Sequence, residues 1–157
     1  MQSHIETPEA QAYFAEMRTC DRMDLWALKT QIYIEYRLKH LLALKVRAGS
    51  DETDFLKELE NINYHQLVNL ALAAPEHMSL RKDLFKLNNL RKQVAHKFQT
   101  TDYIEPLRQF VVSMVPDEPW PQERDQQFEA TRTALGLLLA DIHFLIRDIE
   151  EPGWDKP

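Results

Sequence analysis

Phe128, Leu135, Ile142 and Ile149 recur every seven residues, with Thr131, Leu138 and Leu145 falling between them. A seven-residue apolar repeat on a helix needs a neighbouring helix to cover it, so Gln122 to Ile149 predicts one member of an antiparallel bundle. Leu137, Leu139, Phe144 and Ile146 lie off this seam and widen the apolar band beyond one groove. An extensive core within the chain would cover them, and so would pairing with a second copy through this helix.

The rest of the sequence reads the same way. Only three glycines occur, too few for a turn-rich β architecture, and no convincing strand pattern is present. Thr7 and Pro8 mark the start of a helix running to about Arg18. Asp21 or Asp24 opens a long helix to about Val46, with one apolar set at Ala27, Ile34, Leu38, Leu41 and Leu42. A second set lies opposite, at Leu25, Leu28, Ile32 and Tyr36. Ala48-Gly49-Ser50 ends that helix, and an acidic turn or short helix follows around Glu52 to Glu60. Tyr64 to Ala74 is a helix stopped by Pro75. Ser79 is the expected cap of the next helix, which carries Leu80, Leu84, Leu87, Leu90, Val94 and Phe98. Gln99 to Asp102 breaks it, Ile104 to Met114 is helical, and Pro116 to Pro121 is a rigid connector. The expected fold is an all-α antiparallel bundle of five to six helices. It forms a single domain over 1–157, with flexible tails at 1–6 and 151–157.

Apolar residues make up 44% of the chain and charged ones 28%, the balance of a globular protein rather than a disordered one. The longest nearly apolar run, Ala134 to Ile146, is too short for a bilayer and contains Asp141 and His143, so no membrane partner is expected. The first residues show no basic segment leading into an apolar stretch, which makes the cytoplasm the expected location. Cys20 is the sole cysteine, so neither an intrachain disulfide nor a cysteine-based zinc site can form. The six histidines are dispersed without an H-E-x-x-H pattern, and no phosphate-binding glycine loop or nucleophile elbow occurs. No metal or other cofactor is expected.

Charge is unevenly distributed. The net charge is −6, yet Arg81, Lys82, Lys86, Arg91, Lys92 and Lys97 crowd between Ser79 and Phe98 against one acid, Asp83. Such a basic island in an acidic protein suits a phosphate-bearing ligand, although a solvated helix face has the same composition. Within it, Arg91 and His96 are the two residue types best suited to cutting RNA without a metal. A histidine can take a proton from a 2′-hydroxyl and later protonate a leaving group, while an arginine fork holds charge on phosphate oxygens. Five positions of helix place their side chains about 140° apart, so one copy alone does not obviously build a composite site. An isologous dimer would. A plainer alternative remains: basic side chains in a last helical turn complement the helix dipole, and Arg91 could simply flank the core.

The run Leu87-Asn88-Asn89-Leu90-Arg91-Lys92-Gln93-Val94-Ala95-His96 resembles the R-x4-6-H signature of the HEPN superfamily, small all-helical domains that include many ribonucleases. The order of the preceding Tyr64–Ala71 segment, a turn and the basic helix is similar too, and the likeness spans roughly Leu25 to Phe98. The resemblance implies Arg91 as phosphate clamp and His96 as base. Asn88, Asn89, Lys92 and Lys97 would be RNA or phosphate contacts, and the Glu35/Lys39 pair, otherwise an ordinary i,i+4 ion pair, a supporting element. In active members the residue after the arginine is most often Asn, Asp or His; here it is Lys92, so the polar helper would have to be Asn88 or Asn89. The implied activity is metal-independent cleavage of single-stranded RNA by a homodimer, in a toxin or antiviral-defence effector held in check by an antitoxin or regulatory partner. A non-catalytic regulatory or protein-interaction module, of the kind seen in the mannitol-repressor group, is the competing expectation.

Overall fold

The hydroxyl of Thr7 accepts a hydrogen bond from the Ala10 N–H at 3.2 Å and Pro8 takes the first helical position, so α1 (Pro8–Thr19) starts where its cap dictates. The computed structural model describes residues 7–46, 57–96 and 103–153, with His96 described in its backbone only. Five further helices follow: α2 (Met23–Val46), α3 (Tyr64–Ala71), α4 (Met78–His96), α5 (Ile104–Met114) and α6 (Arg124–Glu150). Short 3₁₀ turns occupy Leu59–Asn61 and Pro75–His77. Among the described residues there are six α-helices and no strand, and the architecture is an antiparallel helical bundle. None of these helices is long and apolar enough to cross a membrane. The ends of the chain at 1–6 and 154–157, the break at Gln99 to Asp102, and the residues Ala48-Gly49-Ser50, Lys97 and Phe98 lie outside the described residues.

Asp24 stands in the first turn of α2, where the helix was expected to open, its carboxylate buried and held by both prongs of the Arg22 guanidinium, Nε at 3.1 Å and Nη2 at 2.5 Å. Two local expectations are corrected. The helix from Tyr64 closes at Ala71, three residues before the predicted Ala74, with the Leu72 N–H still bonding back to the Val68 carbonyl. Ser79 is not a cap. Pro75 starts a 3₁₀ turn that runs straight into α4 at Met78, so the chain is already helical when it reaches Ser79.

The chain divides into two compact units, and the divisions fall inside α2, α4 and α6. The first unit comprises residues 1–33 and 86–136. Its core holds Ala10, Met17, Trp26, Ala27, Leu87, Leu90, Leu107, Phe110 and Leu135. Tyr13 stacks on Tyr33 at 4.4 Å, and Trp26 meets Phe128 edge-on at 5.0 Å with Arg132 lying over the indole. The Trp26 indole N–H donates to the Cys20 carbonyl at 3.0 Å, tying the C-cap of α1 to the start of α2. Cys20 itself is half-buried, its Sγ 3.5 Å from the Arg22 carbonyl.

The second unit comprises residues 34–85 and 137–157. Ile34, Leu38, Leu41, Leu67, Leu84, Leu138, Ile142 and Ile146 are fully buried in it. A reciprocal capping box between Asn63 and Gln66 starts α3, whose Tyr64 hydroxyl donates to the Leu84 carbonyl at 3.4 Å. The Lys45 ammonium donates to the Ala71 carbonyl at the end of that helix at 2.6 Å. The heptad on α6 therefore holds at Leu135, Leu138 and Ile142, but its last member Ile149 is exposed while off-seam Ile146 is buried.

Candidate functional site

The second half of α4 changes character along its length. Leu87 and Leu90 are buried, Val94 is half-buried, and Asn89, Arg91, Lys92, Gln93 and Ala95 are exposed. Arg91 lies four positions beyond Leu87, an azimuth only about 40° away. The azimuth that carries the core at Leu87 thus opens to solvent one turn later. No hydrogen bond or ion pair among the described residues engages Arg91, so its guanidinium donors are available to a ligand.

Asn88 is tied to another helix. Its Oδ1 accepts from the Nε2 of Gln31 on α2 at 3.0 Å. Gln31 is only 2% exposed, and its own Oε1 is the sole buried side-chain N or O atom without a partner among the described residues. An unpaired buried carbonyl of this kind costs about 1–3 kcal/mol. Asn88 and Arg91 are three positions apart, about 60° around the helix and one turn along it.

Asn89 belongs elsewhere. With Lys86, Leu90 and Gln93 it forms one wall of an open groove of about 290 Å³, and Pro106, Gln109, Phe110 and Ser113 of α5 form the other. Two positions separate Asn89 from Arg91, which sets them about 160° apart on the helix. The Arg108 fork, helped by a donation from Gln109 in this groove, pulls the Glu105 carboxyl down to about 2. Lys92 lies on the azimuth between Asn88 and Asn89, exposed.

The helix continues unbroken through His96, so the backbone keeps Arg91 and His96 about 140° apart within one copy. The side chain of His96, and Lys97 altogether, lie outside the described residues. Glu35 and Lys39 belong to the second unit and pair with each other at 3.5 Å along α2. Among the described residues no three His, Cys, Asp or Glu side chains gather into a group that could hold a metal.

Sequence reasoning missed Gln31. The signal was there: with Ala27, Ile34 and Leu38 it completes a four-three-four spacing, so a polar amide occupies a position where the helix period calls for an apolar side chain. Its partner on α4 could be found only from the fold. No family model, no curated protein and no solved structure matches this chain.

Proposed function

We propose that this chain is a metal-independent endoribonuclease of the HEPN type, acting on single-stranded RNA as a homodimer. The observation that carries the reading is Arg91: exposed and without a described partner, on an azimuth that is core one turn earlier, beside exposed Lys92 and half-buried Asn88. In the proposed reaction His96 takes the proton of a ribose 2′-hydroxyl, whose oxygen attacks the adjacent phosphorus. The bond to the 5′-oxygen breaks, that oxygen receives the proton that His96 had accepted, and the products carry a 2′,3′-cyclic phosphate and a 5′-hydroxyl. Arg91 holds the charge that accumulates on the phosphorane oxygens. Because one helix directs the two residues apart, Arg91 of one copy and His96 of the other would share a site across a two-fold axis.

The charge balance narrows the substrate. At net −6 the protein lacks the general basic field of an unselective RNA binder, so a defined loop such as that of a tRNA suits it better than bulk RNA. A toxin or defence effector restrained by a partner protein accords with such a nuclease.

A second reading, a regulatory or protein-interaction module without turnover, is favoured by apolar side chains left in solvent. Ile32 in the first unit is 67% exposed, and Leu70 and Met78 in the second are more than half exposed. Lys92, where active relatives of the proposed family mostly carry Asn, Asp or His, points the same way.

The deciding experiment is RNA cleavage by the purified protein in EDTA, wild type beside Arg91→Ala and His96→Ala, with the cut ends identified. Cyclic-phosphate ends lost in both variants support the nuclease. A folded dimer that leaves tRNA, rRNA and mRNA intact supports the interaction module.

A further inference from the structure

We infer that Gln31 is a positioning residue, which turns the Asn88 amide so that its NH₂ group and the Arg91 guanidinium together receive one RNA phosphate. The inference rests on the nuclease reading above and adds to it a second donor and the residue that aims it.

The chemistry of the pair sets the direction. Gln31 donates through Nε2, so Asn88 must present its oxygen inward at 3.0 Å, and its Nδ2 is left without a partner among the described residues. Two N–H groups then remain for an acceptor outside the protein. Reversing both amides would leave Gln31 with a buried NH₂ and two unpaired hydrogens, worse than the single unpaired carbonyl that the present arrangement leaves. An anion next to Arg91 wants donors, and this orientation supplies them.

The orphaned carbonyl argues that Gln31 is not there for stability. A methionine or leucine at this position would fill the space without the orphaned carbonyl, and the half-buried Asn88 amide could turn to water, so folding alone does not call for a glutamine. A side chain that costs stability and fixes the rotamer of a neighbour one turn from Arg91, which has no partner among the described residues, is arranged for a ligand. It also answers the departure at Lys92: the polar helper is supplied from three residues before the arginine and steadied from α2.

The test uses the full chain and a 2′-O-methyl RNA oligonucleotide, which binds without being cut. Gln31→Met is expected to melt no lower than wild type while binding the oligonucleotide about fivefold more weakly, the loss of one preorganised charge-assisted donor. Gln31→Glu reverses the pairing: a carboxylate can only accept, so it draws the Asn88 NH₂ inward and turns the oxygen toward the phosphate. Its binding should fall below that of Gln31→Met; if it fails to fold, the methionine variant decides alone. In wild type the side-chain NH₂ resonances of Asn88 should move on adding oligonucleotide or inorganic phosphate, and should not move in Gln31→Met. The inference is overturned if wild type binds, Arg91→Ala weakens binding and Gln31→Met binds as wild type. If wild type binds no RNA, the nuclease reading fails, and the phosphate titration then judges the anion site separately: a Gln31-dependent shift at Asn88 keeps it, and none removes it.

Discussion

Arg91 stands four residues beyond Leu87 on nearly the same face of α4, yet Leu87 is fully buried and Arg91 is exposed. A change at Arg91 is therefore separable from a change in the core. Arg91→Ala should change the melting temperature by no more than surface substitutions usually do, roughly 0.5 kcal/mol or less. It should also flatten the salt dependence of RNA binding by about one phosphate contact. Arg91→Lys keeps the charge but loses the fork, and should recover binding more than cleavage. Anisotropy titrations at several salt concentrations, beside cleavage rates, check all three.

Asn88 and Lys92 give opposite expectations. If Asn88 serves as polar helper, Asn88→Ala should lower the cleavage rate about tenfold, the usual scale for one transition-state donor or somewhat below it. Lys92→Asn, which restores the residue frequent in the proposed family, should then alter the rate by less than about threefold. A large gain from Lys92→Asn would show the helper position to be empty in the wild type.

Asp141 on α6 and Asp83 on α4 set two like charges against each other in the second unit. Although Asp141 keeps an exposed edge, partial burial first and the Asp83 charge second push its carboxyl above the usual aspartate value. The folded state then holds that proton more tightly than the unfolded chain. The group favours folding in acid, and that contribution is lost as pH rises through its folded value. Asp141→Asn should raise the melting temperature at pH 7, and the gain should shrink as pH falls through the aspartate range. A constant gain at all pH values would exclude the charge as its cause.

Tyr13 joins α1 to α2 through a 2.8 Å hydrogen bond with the hydroxyl of fully buried Thr30. Tyr13→Phe keeps the stack on Tyr33 but removes that partner, and should destabilise the protein by about 1 kcal/mol in urea unfolding. Thr30→Val in the same background should recover most of the loss, because no hydroxyl is then left unpaired.

Where the sequence was legible, short-range chemistry decided the outcome. Thr7-Pro8 and the helix Ile104–Met114 with Pro106 in its first turn came out at the predicted positions, because caps and prolines act within one turn. The buried set of α2, from Ala27 to Leu42, followed from its period alone. What failed depended on partners distant in sequence or on the preceding turn. Ser79 was overtaken by the 3₁₀ turn at Pro75, and Ile146 replaced Ile149 as the buried end of α6. At the candidate site, residue types were visible but partners on other helices were not. Asn88 and Asn89 both stood as candidate helpers, and the amide of Gln31 and the groove along α5 set them apart.

The single thiol of the chain sits in the cap between α1 and α2, half-buried and held by a backbone that Trp26 clasps. One spin label per chain follows without any engineering of cysteines. A monomer so labelled gives no dipolar modulation, whereas a two-fold assembly gives one distance between symmetry-related labels. The geometry of a pair of copies can thus be read on the native sequence, before any variant of Arg91 or His96 is made.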